Sequence, residues 1–193
     1  LGGISILACL WWCYLALSDK KSTINISKFK PWVALGLLIV FCQIALGGWV
    51  SANYAGLSCV GFPACNGTLI PHLDLASAFD LSSPIGTNYQ GGILGSTARI
   101  TIQFVHRVGA IITFLYVLIL SMLLMAYGNY RLKKIASITL ILVMIQFSLG
   151  VINVVRLLPL KVAVAHNGVA ALLLLSMLAL VHHVWRKGVS YGR

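Results

Sequence analysis

The sequence predicts an all-α membrane protein, in which two helix-hairpin repeats form a four-helix transmembrane bundle, preceded by one extra N-terminal transmembrane helix. Three observations lead to this fold class. The 193 residues are 60% hydrophobic and 9% charged, and their mean hydropathy of +0.96 lies outside the range of soluble domains. The apolar residues are gathered into five long stretches. The basic residues lie mostly at the ends of those stretches.

Each apolar stretch is a candidate transmembrane helix, because about 20 apolar residues span the hydrocarbon core of a bilayer. The stretches cover residues 1–17, 31–56, 100–127, 135–155 and 162–185. The first is the shortest, and it starts at Leu1 without the basic leader of a signal peptide. We therefore expect residues 1–17 to be the last transmembrane helix of an N-terminal half that precedes this sequence.

The basic residues predict the orientation of the helices. The chain has 14 Lys and Arg against 3 Asp and Glu, and ten of the 14 lie on one side of the predicted membrane. The positive-inside rule places that side in the cytoplasm or the mitochondrial matrix. The predicted parts are a cytoplasmic linker at 18–30, a bundle at 31–185 with an outer loop at 57–99, and a cytoplasmic tail at 186–193. Because these charges follow the ends of the spans, the expected partner is the lipid bilayer and not nucleic acid.

Two segments of the bundle are alike, which indicates a repeated helix hairpin. The second span contains QIALG at 43–47 and the fourth contains QFSLG at 146–150. Each is followed by an inward span with one histidine near its outer end, His106 in the first copy and His166 in the second. Repeats of the same orientation are related by an axis along the membrane normal. We therefore expect the two imidazoles at one depth, about 6–9 Å below the outer edge at ~1.5 Å of rise per residue.

This matched pair predicts a haem site, with His106 and His166 as the axial ligands of the iron. A single intramembrane histidine could equally well bond neighbouring helices. Zinc would need further Cys, His or carboxylate ligands at that depth, and copper would prefer a sulfur donor. Five nearby glycines either let the helices pack closely or leave room for a flat ligand. They are Gly47, Gly48, Gly109, Gly150 and Gly168.

Other polar side chains of the spans have less specific interpretations. Arg107 follows His106 directly, and no acidic residue lies within a span, so its partner is predicted to be a haem propionate or a lipid phosphate. Gln43 and Gln146 are predicted to form hydrogen bonds between helices. His182 and His183 are predicted to be solvated at the cytoplasmic interface, and His72 to be solvated in the outer loop.

The outer loop contains a cysteine pair, Cys59 and Cys65, separated by five residues. In an oxidising compartment such a pair predicts a disulfide that closes a small loop. Thiol exchange chemistry is the alternative for the same two residues.

Taken together, four segments resemble the heme A synthase family of cytochrome oxidase assembly proteins. They are the loop at 56–67, NYQGG at 88–92, QFVHR at 103–107 and the stretch 157–167. The resemblance covers about residues 31–185. It implies an eight-helix oxidoreductase that converts the methyl group of haem O into the formyl group of haem A, in a bacterial plasma membrane or the mitochondrial inner membrane. Haem O synthase and assembly factors of the terminal oxidase are the implied partners.

The resemblance also implies roles for single residues. His106 and His166 match the two axial ligands of the family's haem b, and Cys59 and Cys65 match its outer cysteine pair. Gln103 stands where the substrate-side half of the family has a glutamate. Residues 1–17 contain no histidine, so the substrate ligands are expected before residue 1. The catalytic acid or base stays unknown, and this chain alone is expected to be inactive.

Three rival functions use the same residues. A cytochrome-b-type electron-transfer subunit would have the same haem ligands without the oxidation of haem O. A transporter would use the histidines as proton relays, but it would normally need an embedded Asp or Glu. In a structural assembly subunit the histidines would only bond helices together.

Overall fold

The computed structural model describes residues 1–18, 27–80 and 93–185. Most of the predicted linker, residues 81–92 of the predicted outer loop and the predicted tail at 186–193 therefore lie outside the described residues. The NYQGG segment that carries part of the family resemblance lies outside them as well.

The described chain is helical apart from its connecting loops. In order, the elements are α1 (Gly2–Leu17), a 3₁₀ turn (Ser27–Phe29), α2 (Lys30–Ala52), α3 (Leu75–Ala78), α4 (Ser96–Tyr127), α5 (Tyr130–Val155) and α6 (Leu160–Trp185). Helices α2, α4, α5 and α6 are long and apolar enough to cross a membrane. Helix α1 has 16 residues and is shorter than a span. The predicted all-α membrane fold with four spanning helices is confirmed, and the chain is an integral membrane protein. The two hairpin repeats stay a prediction, and α1 is shorter than the predicted transmembrane helix.

All four spanning helices begin before their apolar stretches, and α4, α5 and α6 do so by two residues or more. Helix α5 starts at Tyr130 instead of residue 135, since the Asn129 side-chain oxygen accepts a hydrogen bond from the Leu132 amide at 2.8 Å. Helix α6 starts two residues before residue 162, directly after Pro159, whose carbonyl accepts from two amides of the first turn. Helix α4 starts at Ser96 instead of residue 100. The apolar stretch therefore predicts the part of each helix that lies in lipid, whereas the capping residues determine where the helix begins.

Helices α2 and α5 end with the same backbone motif. Tyr54 has a φ of 53°, and the next amide, that of Ala55, donates to the Val50 carbonyl at 2.9 Å. This is the left-handed closure of a Schellman motif, and it ends α2 before the predicted residue 56. At the end of α5 the Leu158 amide donates to the Asn153 carbonyl at 2.8 Å in the same way.

The chain divides into two compact units, and the divisions fall within the long helices. Unit 1 consists of Leu1–Phe41, Thr113–Gln146 and Gly168–Arg193. Within it, α1 is held to α6 by the Trp11 indole, which donates to the Leu175 carbonyl at 2.9 Å. Helix α2 approaches α4 and α6 closely at Gly36, where an added Cβ would lie 2.8 Å from the Met177 side chain.

Unit 2 consists of Cys42–Ile112 and Phe147–Asn167, and it contains both predicted haem ligands. Its small apolar core is formed by Val50, Ala55, Ala78, Ala98 and Ile102. The loop that leads to α3 is held by side chains of the helices. The Trp49 indole donates to the Ala78 carbonyl at 3.0 Å, and the Thr101 hydroxyl accepts from the Asp74 amide at 2.8 Å.

Asp74 also caps α3. Its carboxylate accepts a hydrogen bond from the Ser77 amide at 3.0 Å, and this bond lowers the pKa of Asp74 below its ordinary value.

Candidate haem site

The two predicted ligands lie in the same unit and are both half-buried. His106 is on α4 and His166 on α6, and their side chains are close enough to interact electrostatically. His106 lies ten residues after Ser96, whereas His166 lies six residues after Leu160. Counting from the first residue of each helix therefore does not test whether the two histidines lie at the same depth in the membrane. Helix α4 begins one turn before its apolar stretch, so its first residue does not mark the membrane edge.

A glycine of the preceding helix faces each imidazole. A Cβ built on Gly47 would lie 3.2 Å from Cε1 of His106, and one built on Gly150 would lie 3.2 Å from Cε1 of His166. These distances are shorter than the ordinary 3.5–4.0 Å contact between carbon atoms. Each imidazole therefore lies so close to the glycine backbone that a Cβ there would crowd it. The contact is the same in the two hairpins, Gly47 with His106 and Gly150 with His166.

Gln43 lies one helical turn before Gly47, on the same face of α2, and contacts the His106 ring at Nδ1. Its amide nitrogen is 3.0 Å from Nδ1 of His106 and donates to the His106 backbone carbonyl at 2.9 Å. Its amide oxygen is buried without a hydrogen bond among the described residues. An added Cβ on Gly109 would collide with this oxygen. The interhelical hydrogen bond predicted for Gln43 is confirmed.

Arg107 binds the outer loop, a partner that its sequence position did not predict. Its guanidinium donates to three backbone carbonyls, those of Gly61 at 2.8 Å, Ala64 at 3.3 Å and Cys59. Carbonyl oxygens of one short loop thus bind the two terminal nitrogens of the guanidinium. Arg107, which directly follows the predicted ligand His106, therefore holds the loop against α4.

The loop that Arg107 holds is closed by a disulfide between Cys59 and Cys65, with Cα atoms 4.9 Å apart. Both cysteines are buried. Asn66 also holds the loop, since its side chain accepts from the Val60 amide and donates to the Ser58 carbonyl, both at 2.9 Å. The Asn-Gly pair that follows Cys65 is a sequence pattern typical of turns, and it could have predicted that Asn66 stabilises this loop.

The remaining histidines lie apart from this pair in the sequence. His72 is exposed. The prediction that His183 is solvated is wrong, because its side chain is only 6% exposed and its Nε2 atom lies 3.3 Å from the Asn129 side-chain oxygen. His182 packs edge-on against Trp12 at 5.3 Å between ring centroids.

Comparison with known proteins identifies the family of the chain. A family model described as cytochrome oxidase assembly protein matches residues 1–178. The chain belongs to this family.

Curated relatives named heme A synthase support the same placement. The one from Shewanella oneidensis is 37% identical over 196 residues, which cover 100% of this chain and 59% of the relative. The one from Rickettsia massiliae is 31% identical over 162 residues, covering 84% of the chain and 44% of the relative. The chain thus spans about half the length of the curated relatives it matches. No solved structure matches the chain.

Haem is the cofactor that the family resemblance implies, and the residues of unit 2 fit it. Bis-imidazole ligation requires two imidazole nitrogens and an apolar slot, and unit 2 contributes two half-buried imidazoles, each of which faces a glycine. Gly48, next to the glycine that faces His106, is exposed, and a Cβ built there would meet no atom within 4 Å. Among the described residues, no group of three or more His, Cys, Asp or Glu could hold a metal ion.

Proposed function

We propose that this chain is the haem-b-binding half of a heme A synthase, with His106 and His166 as the axial ligands of the haem iron. The observation that carries the proposal is the repeated contact between imidazole and glycine, Gly47 with His106 and Gly150 with His166. Two rings that each face a glycine of the preceding helix would hold a haem as its two imidazole ligands. When bound, the haem would supply one-electron transfer.

The equivalent contacts also support the proposed origin of the bundle in two helix hairpins. The closure at Tyr54 comes seven residues after Gly47, and the left-handed Leu157 comes seven residues after Gly150. A duplicated hairpin would keep this spacing between the glycine and the left-handed residue in both α2 and α5.

The activity proposed for the whole protein is that of the named relatives. It would oxidise the methyl group of haem O to the formyl group of haem A, with haem O as substrate and haem A as product. We place the haem O site in the part of the relatives that this chain does not span, so the chain alone would be inactive. No residue of this chain is assigned as the catalytic acid or base.

Within the haem-binding half, we assign two roles to Arg107. Its two terminal nitrogens hold the disulfide loop, so the loop stays beside His106. Its Nε atom is buried and makes no hydrogen bond among the described residues. That N–H is the group left for a haem propionate, because a buried guanidinium nitrogen favours an anionic acceptor.

The proposed setting is a bacterial plasma membrane or the mitochondrial inner membrane. The distribution of Lys and Arg supports an outer position for the loop of Cys59 and Cys65, and a cytoplasmic or matrix position for the C-terminus. An outer, oxidising compartment would maintain the disulfide. Haem O synthase and terminal-oxidase assembly factors are the proposed protein partners.

The test of this function is conversion of haem O by the full-length protein that contains this chain. The protein is produced in cells that make haem O but not haem A, and extracted haems are separated by chromatography and identified by mass. We expect haem A from the wild type, and haem O without haem A from His106→Ala or His166→Ala. His72→Ala, which changes an exposed histidine of the outer loop, is the matched control and should still form haem A.

Failure to form haem A would contradict the enzymatic proposal. If the wild type accumulates no haem A although its b-type haem is bound, the electron-transfer subunit becomes the better explanation. If the His106 and His166 variants form as much haem A as the His72 variant, the ligand assignment is wrong.

A further inference from the structure

The hydrogen bonds of Gln43 determine which ring nitrogen of His106 can bind iron. A backbone carbonyl can only accept a hydrogen bond. The Gln43 atom that lies 2.9 Å from the His106 carbonyl is therefore the amide nitrogen. The same nitrogen, which has two hydrogens, is 3.0 Å from Nδ1 of His106. In this arrangement Nδ1 accepts a hydrogen bond, and a neutral ring carries its proton on Nε2.

Binding of iron through Nε2 reverses these requirements. Nε2 must then offer its lone pair, so the proton of the neutral ring moves to Nδ1. An Nδ1–H group facing the Gln43 NH₂ group would place two donors against each other. The conflict is relieved if the amide turns, presents its oxygen to Nδ1–H and moves away from the His106 carbonyl, since two acceptor oxygens repel each other. In the structure this amide oxygen is buried against Gly109 without a hydrogen bond among the described residues.

The surroundings allow this turn. The His106 carbonyl lies inside the continuous helix α4 (Ser96–Tyr127), so it keeps its acceptor role toward the amide four residues later. Gly109 leaves room beside the amide, because it lacks a Cβ. The Gly47 contact with Cε1 keeps the ring in place while the amide changes its orientation.

We propose that Gln43 is a positioning residue for His106, whose amide oxygen accepts the Nδ1–H hydrogen bond when Nε2 binds the haem iron. This inference rests on the proposed haem ligation by His106. A hydrogen bond accepted from Nδ1–H makes an imidazole ligand more basic and fixes its orientation. A more basic axial ligand favours ferric over ferrous iron, so Gln43 lowers the reduction potential of this haem.

The test compares reduction potentials and haem dissociation rates of three variants of the chain in detergent. Gln43→Leu removes the acceptor at similar size, and Gln43→Glu strengthens it. Gln103→Leu is the matched control, since it removes another buried amide on the helix of His106 whose oxygen makes no hydrogen bond among the described residues. Dissociation is followed as haem transfer to an excess of a haem-free globin.

We expect the potential to rise in Gln43→Leu, to fall in Gln43→Glu, and to stay at the wild-type value in Gln103→Leu. Haem affinity should fall about 10- to 100-fold in Gln43→Leu, as is usual for the loss of an outer hydrogen bond to a metal ligand. A packing defect alone would shift the Leu and Glu variants in the same direction. That result, or a wild-type potential in both, would overturn the proposal while haem ligation stands. A wild-type chain without a b-type spectrum would instead overturn the proposed function.

Discussion

Gly47 gives the most direct way to displace the His106 ring without removing it. In Gly47→Ala the new Cβ would lie 3.2 Å from Cε1 of His106, about 0.3–0.8 Å inside the ordinary distance between carbon atoms. The ring must move by a few tenths of an ångström, but its Nδ1 atom is held by Gln43 at 3.0 Å. Bringing the ring back to a haem iron would therefore strain the site.

The size of this effect follows from the cost of overpacking. One added methyl group in a packed interior costs about 1–3 kcal/mol. If that cost falls on the haem-bound state, haem binding should weaken about 5- to 150-fold, at about 1.4 kcal/mol for each factor of ten. Alanine also favours a helix over glycine by about 1 kcal/mol, so the folding stability of the haem-free chain should change little.

The assay is a titration of the haem-free chain with haem, followed by the low-spin absorbance bands. Gly3→Ala is the control, because it makes the same substitution in a helix at a position with no atom within 4 Å of the new Cβ. We expect wild-type affinity for Gly3→Ala and a weakened, partly high-spin complex for Gly47→Ala. Equal affinities and spectra for the two variants would refute the view that Gly47 seats the ring.

Three further predictions concern the rest of unit 2. Gly150→Ala should weaken haem binding by a similar factor in the same titration, since its Cβ would meet His166 at the same 3.2 Å; an unchanged affinity would argue against equivalent hairpins. Arg107→Met should raise hydrogen exchange in the Cys59–Cys65 loop about tenfold or more, because hydrogen bonds to a charged group contribute about 1.5–3 kcal/mol; unchanged protection would show that the disulfide and Asn66 suffice. Helix α3 should lose its cap on acidification, since the Ser77 hydrogen bond lowers the pKa of Asp74. The cap is therefore fully present above the ordinary Asp pKa and is lost as the pH falls through the lowered pKa, which the Ser77 amide NMR shift would report.

The sequence predicted the membrane helices because their signal is local. A span of apolar residues has one stable structure in lipid, the helix, so α2, α4, α5 and α6 follow from hydropathy alone. The helix ends were less predictable. The start of α5 depends on one side-chain oxygen of Asn129, and the end of α2 depends on Tyr54 adopting a left-handed conformation that is uncommon for a residue other than glycine.

The parts of the candidate site that depend on the type of a single residue could be predicted from the sequence. Two histidines in apolar spans and a repeated Gln–Gly spacing indicated the pair, and Gln43 forms an interhelical bond as expected. The partner of Arg107 could not be predicted, because backbone carbonyls are present in every loop and only the folded loop brings three together. The burial of His183 depends on its contact with Asn129, 54 residues away in the sequence.

The central claim is tested most directly by optical spectra of the purified chain in detergent, oxidised and reduced with dithionite. The wild type, His106→Ala, His166→Ala and His72→Ala are produced in haem-replete cells and compared. Bis-histidine ligation predicts a low-spin b-type spectrum for the wild type and His72→Ala, and a high-spin spectrum or loss of haem in the other two. A folded wild-type chain without haem absorbance, or a low-spin spectrum that survives both ligand substitutions, would contradict it.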